Sequence, residues 1–424
     1  MRNFLRRHYH WVIALVMTLH MGIYTGLGNN SGLFILPVTG ELGINRSTFS
    51  LVMSLRSLCG FLAILFSGPL VKRFGYRRLM FVSLPLAALG YFLFSRSGGV
   101  VGLLFGAIFV GISLGYSGST SVSRVVSDWF HRHRGAVLGV VSASSGVGGS
   151  LCCLALSSAM AGSGWRSAYL LCTVLMLFLL VLNGLFVRNK PEDMGLRPYG
   201  EGEISEKHRR FMPENTLQGY SFQELSRRPV FYLMIAALLA TYIGIYIPYN
   251  AIVPHLRDCG LTAEQAVEMQ STMLLVLSIS KILMGLLMDL IGVRWVTLLC
   301  FAFGVGSMAV LPAITGPGTA LTAILLYSFA LPITSITLPL LTIDLFGYHS
   351  YAIALGVFSS ITSIGSMIAS PLSGSVFDAA GSYAPAFRVG AAIMAAMIAA
   401  YLLLYRLADR EKARWLASRG NKTA

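Results

Sequence analysis

Acidic residues are scarce in this chain. Of its 424 residues only 17 are Asp or Glu, against 32 Lys and Arg, and charged residues of both signs make up 12%. A soluble domain carries about 25%. With 55% apolar residues and a mean hydropathy of +0.71, that shortage excludes nearly every water-soluble enzyme. Cysteine is sparse as well. The six cysteines show no metal-ligand spacing, and Cys59, Cys152, Cys153, Cys172 and Cys300 lie within apolar runs, so neither a disulfide framework nor a metal site is expected. There is no HExxH pair, no Ser–His–Asp set, no Cys/His cluster and no Walker loop. No cofactor, enzymatic activity or ATP coupling is expected. The net charge of +15 would suggest nucleic acid in a soluble protein. In so apolar a chain it reads instead as the basic cytoplasmic face of a membrane protein, with the lipid bilayer as partner and no nucleic acid.

What the chain does have is long apolar runs. A spanning helix needs about 20 mostly apolar residues, and twelve such runs are present. Six lie near 11–36, 48–71, 79–95, 100–126, 135–161 and 167–187. Six more lie near 230–254, 264–288, 295–314, 319–343, 352–377 and 384–405. The third is the shortest. Between the sixes lies a polar stretch, 188–228, with fifteen charged residues, whose composition is that of a solvated linker. The basic start, 1–10, leads into the first run without a small-residue cleavage site. The expected architecture is an all-α membrane protein of twelve transmembrane helices in two six-helix bundles related by pseudo-two-fold symmetry. Residues 1–187 form one bundle, 188–228 a cytoplasmic linker, and 229–424 the other bundle with a basic tail. With both termini cytoplasmic, 24 Lys and Arg fall inside and five outside, which sets the orientation in a plasma or inner membrane.

A repeat marks the two halves. Gly68-Pro69-Leu70-Val71-Lys72-Arg73-Phe74-Gly75-Tyr76-Arg77-Arg78 lies between runs two and three. Gly285-Leu286-Leu287-Met288-Asp289-Leu290-Ile291-Gly292-Val293-Arg294, starting 217 positions later, lies between runs eight and nine. Glycines seven apart suit a tight turn between helices. Both loops resemble the loop signature of the major facilitator superfamily, and the six-plus-six layout extends that resemblance over the whole chain. The resemblance implies a transporter that alternates access to a site between its halves. The second copy keeps the family's acid as Asp289; the first has Lys72 in its place. Asp128 is expected either to supply the missing carboxylate to Lys72, Arg73 or Arg77, or to pair with Arg124 one turn earlier. Residues 128–135 with the Gly/Ser-rich run to Gly149, residues 191–198, and Gly381-Ser382-Tyr383 are together similar to the monocarboxylate and oxalate/formate-type carriers.

Candidate substrate-binding residues follow. Lys281 lies eight residues before Asp289, about 12 Å along a helix and close to the middle of a core about 30 Å thick. A charge there costs about 2.5–3.5 kcal/mol unless it faces a cavity or a partner. By its spacing to the loop acid, Lys281 also resembles the helix-eight Arg that binds carboxylate in those carriers. An ammonium offers a point charge without the Arg fork. The alternative is a Lys paired with a protein acid. Arg56 lies about 12 Å into run two, lining the outer part of a cavity or binding carbonyls or the helix-eleven end near Asp378. Run one carries His20, Tyr24, Asn29 and Asn30. Asn29 falls where the resembled monocarboxylate carriers place a Lys, and either it or Asn30 instead bonds neighbouring helices. Thr362 falls where the oxalate-type carriers place a Lys, which disfavours dicarboxylates. Tyr242, Tyr246 and Tyr249 recur on one helix face, to stack on substrate or to pack. Gly139, Gly146, Gly148 and Gly149 with serines 142, 144 and 145 read as close, sliding helix packing.

The expected function is a secondary or facilitative carrier of a small organic anion, a monocarboxylate, neutralised by Lys281, working as a monomer by symport, antiport or uniport. Leu277 stands where the resembled carriers often hold an Asp, so a carboxylate proton relay lacks a member. His20 is the candidate proton carrier. The alternative is a proton-driven multidrug efflux pump of the same superfamily, suggested by 18 Met and 24 Phe.

Overall fold

The computed structural model describes residues 8–130, 134–200, 222–335, 337–346 and 351–420. The expectations placed on Gly68, on the side chains of Lys72, Arg134 and Asp289, and on 131–133 fall outside what is described. Eleven stretches are long and apolar enough to cross a membrane. One of them, Gly135–Phe186, has 52 residues, far more than a bilayer accommodates in one pass. Its backbone leaves helical geometry at Ser163 and Gly164, so it holds the fifth and sixth crossings and the total is the expected twelve. The first four are Tyr9–Leu42, Arg46–Ser67, Arg73–Arg96 and Val100–Trp129. The last six are Pro229–Tyr249, Ala263–Met288, Val293–Ala313, Pro317–Thr334, Ile353–Ala380 and Ala384–Glu411. The third crossing is 24 residues long, not the shortest. Arg73, Arg77 and Arg78 lie within its helix, where long basic side chains can reach the interface while their stems stay in the span. The shortest stretch, Pro317–Thr334 with 18 residues, is the first part of the tenth crossing.

The duplication extends well beyond the loop motif. Glycines with positive φ occur at Gly43 and Gly260, Gly75 and Gly292, and Gly164 and Gly381, each pair 217 positions apart, the spacing of the loop motif. The match includes ψ at the loop: Gly75 has φ 77 and ψ 161, Gly292 φ 86 and ψ 155. Only glycine adopts that conformation freely, so it permits the reversal between crossings. The helix breaks repeat too. The first crossing is helical over Tyr9–Asn29, tightens to a 3-10 turn at Ser31–Phe34 and resumes at Ile35–Leu42. The seventh ends at Tyr249 and resumes as Ile252–Asp258. Pro37 and Pro254 stand at the same repeat position. Each lacks the N–H that would reach back four residues, to Leu33 and Asn250, where the helices part. The fourth crossing breaks at Gly118 and the tenth around Ser335, again 217 apart. Runs one, four, seven and ten are therefore interrupted, where the apolar pattern reads as continuous.

Small residues let the helices approach. A Cβ at Gly148 would lie 2.3 Å from the Gly22 carbonyl oxygen, joining the fifth crossing to the first. The equivalent contact in the second half is Gly365 against the Leu239 carbonyl, 3.1 Å.

Candidate functional site

The two halves meet along a seam with a defined extent. An even number of crossings puts Tyr9 and Glu411 at one end of the bundle; the other is the far end. At the far end the Arg46 guanidinium donates both arms to Asp258, at 2.6 and 2.9 Å, and lies 3.6 Å over the Phe377 ring. The Ser47 amide donates to Asp378 at 3.0 Å. Going inward, Ser150 and Ser271 share a hydrogen bond of 2.7 Å, Ser54 donates to the Met367 carbonyl, and Ser278 donates to the Ala143 carbonyl. The innermost bond is Lys281 Nζ to Ser145 Oγ, 3.0 Å. Among the described residues, every side-chain hydrogen bond between the halves falls between this level and the far end.

Along this seam lies a cavity of ≈ 210 Å³. Both broken helices contribute to it: Asn29 and Ser31 from the first crossing, Tyr249 and Asn250 from the seventh. The break turns these polar residues out of the helix ladder and toward each other, and Ser31 donates to Asn250 Oδ1 at 3.0 Å. Discontinuous helices that meet at mid-depth are where carriers place substrate sites. Arg56 also lines the cavity and is the one cation among its lining residues, which include no carboxylate. Its Nε is buried without a hydrogen-bond partner among the described residues. Tyr24 and Tyr246 complete the overlap with the sequence reading.

The other expected residues fall elsewhere. Lys281 does not line the cavity; it sits in the seam, bonded to the neutral Ser145 hydroxyl and making no ion pair among the described residues. Tyr242 turns away, donating to the Thr334 carbonyl at 2.7 Å, with Thr362 beside its hydroxyl. The three tyrosines do share a face: Tyr242 and Tyr246 rings lie 5.9 Å apart, Tyr246 and Tyr249 rings 5.2 Å. His20 is fully buried and uses both ring nitrogens, Nε2 on the Ser117 carbonyl at 2.8 Å and Nδ1 facing the Asn183 amide at 2.9 Å. A carbonyl can only accept, so Nε2 carries the proton, Nδ1 accepts, and the ring is neutral. Asn30, the neighbour of Asn29, takes the packing role, donating to the Gly26 and Gly149 carbonyls.

At the terminal end, Arg77 donates to the Gly184 carbonyl and its amide binds Asn189, while Arg73 lies over Phe74. Asp128 lies near Tyr76, whose hydroxyl Arg124 contacts. Gly285 has open space beside it. Arg294 pairs with Asp409 at 3.5 Å and stacks on Tyr405. The motif at 128–135 meets the residues that flank 191–198: the Tyr199 amide donates to the Trp129 carbonyl at 2.9 Å, and Trp129 Nε1 to the Arg188 carbonyl. The Arg46–Asp258 clamp was missed. Its one sequence signal was that Asp258 repeats Glu41, which binds Trp165 and Arg166 in the first half.

Two bundles of equivalent helices, broken where they face each other and closed on a polar cavity, define a multi-pass membrane transporter. A family model described as Major Facilitator Superfamily matches residues 16–350 and again 240–423, and the chain belongs to that family. Similar proteins include monocarboxylate transporter 13 of Bos taurus, 24% identical over 91% of this chain and 87% of its own length. A probable L-galactonate transporter of Escherichia coli (strain K12) is 27% identical over 37% of this chain and 34% of its own. Among solved structures, a variant of the nucleoside transporter NupG has the same fold, with a TM-score of 0.72, 11% identity, and coverage of 94% of this chain and 100% of that one.

Proposed function

We propose that this transporter carries a small organic anion, a monocarboxylate, across a plasma or inner membrane, with both termini cytoplasmic. Residues 1–187 and 229–424 rock as units, tethered by 188–228, and Lys281 and Arg56 are the counter-charges. The observation that carries this reading is the pair of cations at the junction of the halves with no carboxylate beside them among the described residues. A buried charge without a counter-ion is costly, and a visiting anion relieves that cost. Arg56 meets the anion in the cavity as it stands. Lys281, held by one neutral hydroxyl across the seam, is freed when the halves separate. With the termini inside, the conformation seen is the one closed to the outside.

The small cavity disfavours the efflux-pump alternative, since drug-sized ligands occupy roughly 300–1,000 Å³. His20, neutral and bonded on both nitrogens, is poorly placed to carry a proton, so exchange or uniport is the simpler coupling for a monomeric carrier. The test is uptake of radiolabelled monocarboxylates into proteoliposomes. Removing one partner of a buried charge interaction costs about 2–5 kcal/mol, so Lys281→Gln and Arg56→Gln should each lower uptake roughly 30-fold or more while the protein keeps its far-UV circular dichroism. Undiminished anion uptake by both variants would overturn the proposal.

A further inference from the structure

Four of the small hydroxyl groups in the cavity are not spare donors. Thr25, Ser54, Ser57 and Ser366 line it, and each has already given its one proton to a backbone carbonyl. Thr25 donates to Met21, Ser54 to Met367 at 2.7 Å, Ser57 to Met53 at 3.2 Å, and Ser366 to Ser363 at 2.9 Å. A serine or threonine hydroxyl has one proton and two lone pairs. What these four present to a ligand is therefore acceptor capacity alone. Ser31 is spent in the same way on Asn250. Arg56 is the charged donor among the lining residues, and its Nε is buried without a partner among the described residues; the Asn29 amide and the Ser370, Tyr91 and Tyr249 hydroxyls are neutral donors that also line the cavity.

The lining thus sets one cationic donor fork beside four hydroxyls that offer a ligand acceptors alone. A carboxylate satisfies the fork. It cannot satisfy the acceptors, because it has no protons to give. A plain aliphatic acid would leave those lone pairs desolvated against hydrocarbon, at the cost of unpaired buried polar groups. Hydroxyl groups along the ligand's chain would donate to them. An ammonium group would donate as well, but it would be a second positive charge beside Arg56, with no carboxylate among the lining residues to offset it.

We infer that the cavity takes a hydroxylated monocarboxylate, with its carboxylate on Arg56 and its hydroxyls donating to Thr25, Ser54, Ser57 and Ser366. This inference rests on the anion-carrier reading above and narrows its substrate class. It also explains why the lining is rich in small hydroxyls when the chain as a whole is so apolar.

The experiment compares D-gluconate, hydroxylated on every carbon but the carboxyl, with hexanoate, an unhydroxylated acid of the same chain length. Both are added to the purified full-length protein, and affinity is read from the shift in thermal stability, since a ligand that binds the native form raises it. The expected result is a preference for gluconate of at least about tenfold. Ser54→Ala with Ser57→Ala should shrink the preference by weakening gluconate and not hexanoate, and Arg56→Gln should weaken both. Binding of hexanoate as tight as that of gluconate overturns this inference and leaves the anion-carrier reading standing. Absence of any shift with either acid, repeated at high concentration of both, overturns that reading and this one with it.

Discussion

Lys281 holds its charge at the depth where charge is most costly, and its one protein contact is the Ser145 hydroxyl at 3.0 Å. An interhelical hydrogen bond in a membrane protein is worth about 0.6 kcal/mol on average and at most about 1.7, so even the stronger bond of a charged donor falls below the roughly 2.5–3.5 kcal/mol that a mid-membrane cation costs. The balance is unfavourable to folding, so the residue persists for some other benefit. Lys281→Met, close in length and uncharged, should therefore raise thermal stability by about 2 kcal/mol while lowering uptake. Melting in detergent and uptake in proteoliposomes, measured on the same preparation, check the two halves of that statement. A variant that loses stability would mean that Lys281 is a structural residue. The position of Lys281 was legible from apolar context alone, because one cation in a hydrophobic run stands out. That Arg56 and not Lys281 would line the cavity was not legible, since both are cations inside apolar runs and the difference depends on depth along, and rotation of, each helix.

The helices that carry the cavity are the interrupted ones, and the interruption was only half visible. Apolar runs mark where a chain is buried, not whether its carbonyls are paired, so 11–36 and 230–254 read as single spans. The repeat of Pro37 at Pro254 carried the missing information. Past the second break, the short helix Ile252–Asp258 brings Asp258 to the Arg46 clamp, and it is anchored through His255. That ring is nearly inaccessible; its Nε2 bonds the Leu311 carbonyl at 2.8 Å, and it packs edge-on against Phe387 and Tyr383. Removing the anchor, as in His255→Ala, leaves the buried Leu311 carbonyl unpaired and should lower thermal stability by about 1–3 kcal/mol. Melting of the purified variant in detergent checks it, and an unchanged melting temperature would mean that the short helix is held by its other contacts.

At the scale of the whole molecule, the duplication was legible because a turn's chemistry is local: glycines at matching positions and basic residues beside them can be read without coordinates. Three pairs of positive-φ glycines and two pairs of helix breaks at the same offset extend that reading through both halves. What separates the two copies was not legible, because it is made by contacts between them. Arg46 reaches out of its own half to Asp258, whereas Glu41, at the position equivalent to Asp258, stays within its half on Trp165 and Arg166. A seam that, among the described residues, is bonded from mid-depth to the far end is one side of an alternating cycle, and the other side requires those bonds to part. Ser150 and Ser271 lie within that stretch with their hydroxyl oxygens 2.7 Å apart, close to the sulfur separation of about 2.05 Å in a disulfide. A Ser150→Cys, Ser271→Cys double variant should oxidise readily, because the pair already faces across the seam. Once bonded, the far end cannot open, so uptake into proteoliposomes should fall to the background of empty vesicles and return on addition of reductant. Each single variant, treated with the same oxidant, should keep its uptake. Oxidation of the pair with transport intact would mean that substrate passes without separation of the halves at this seam, and the rocking mechanism would have to be abandoned.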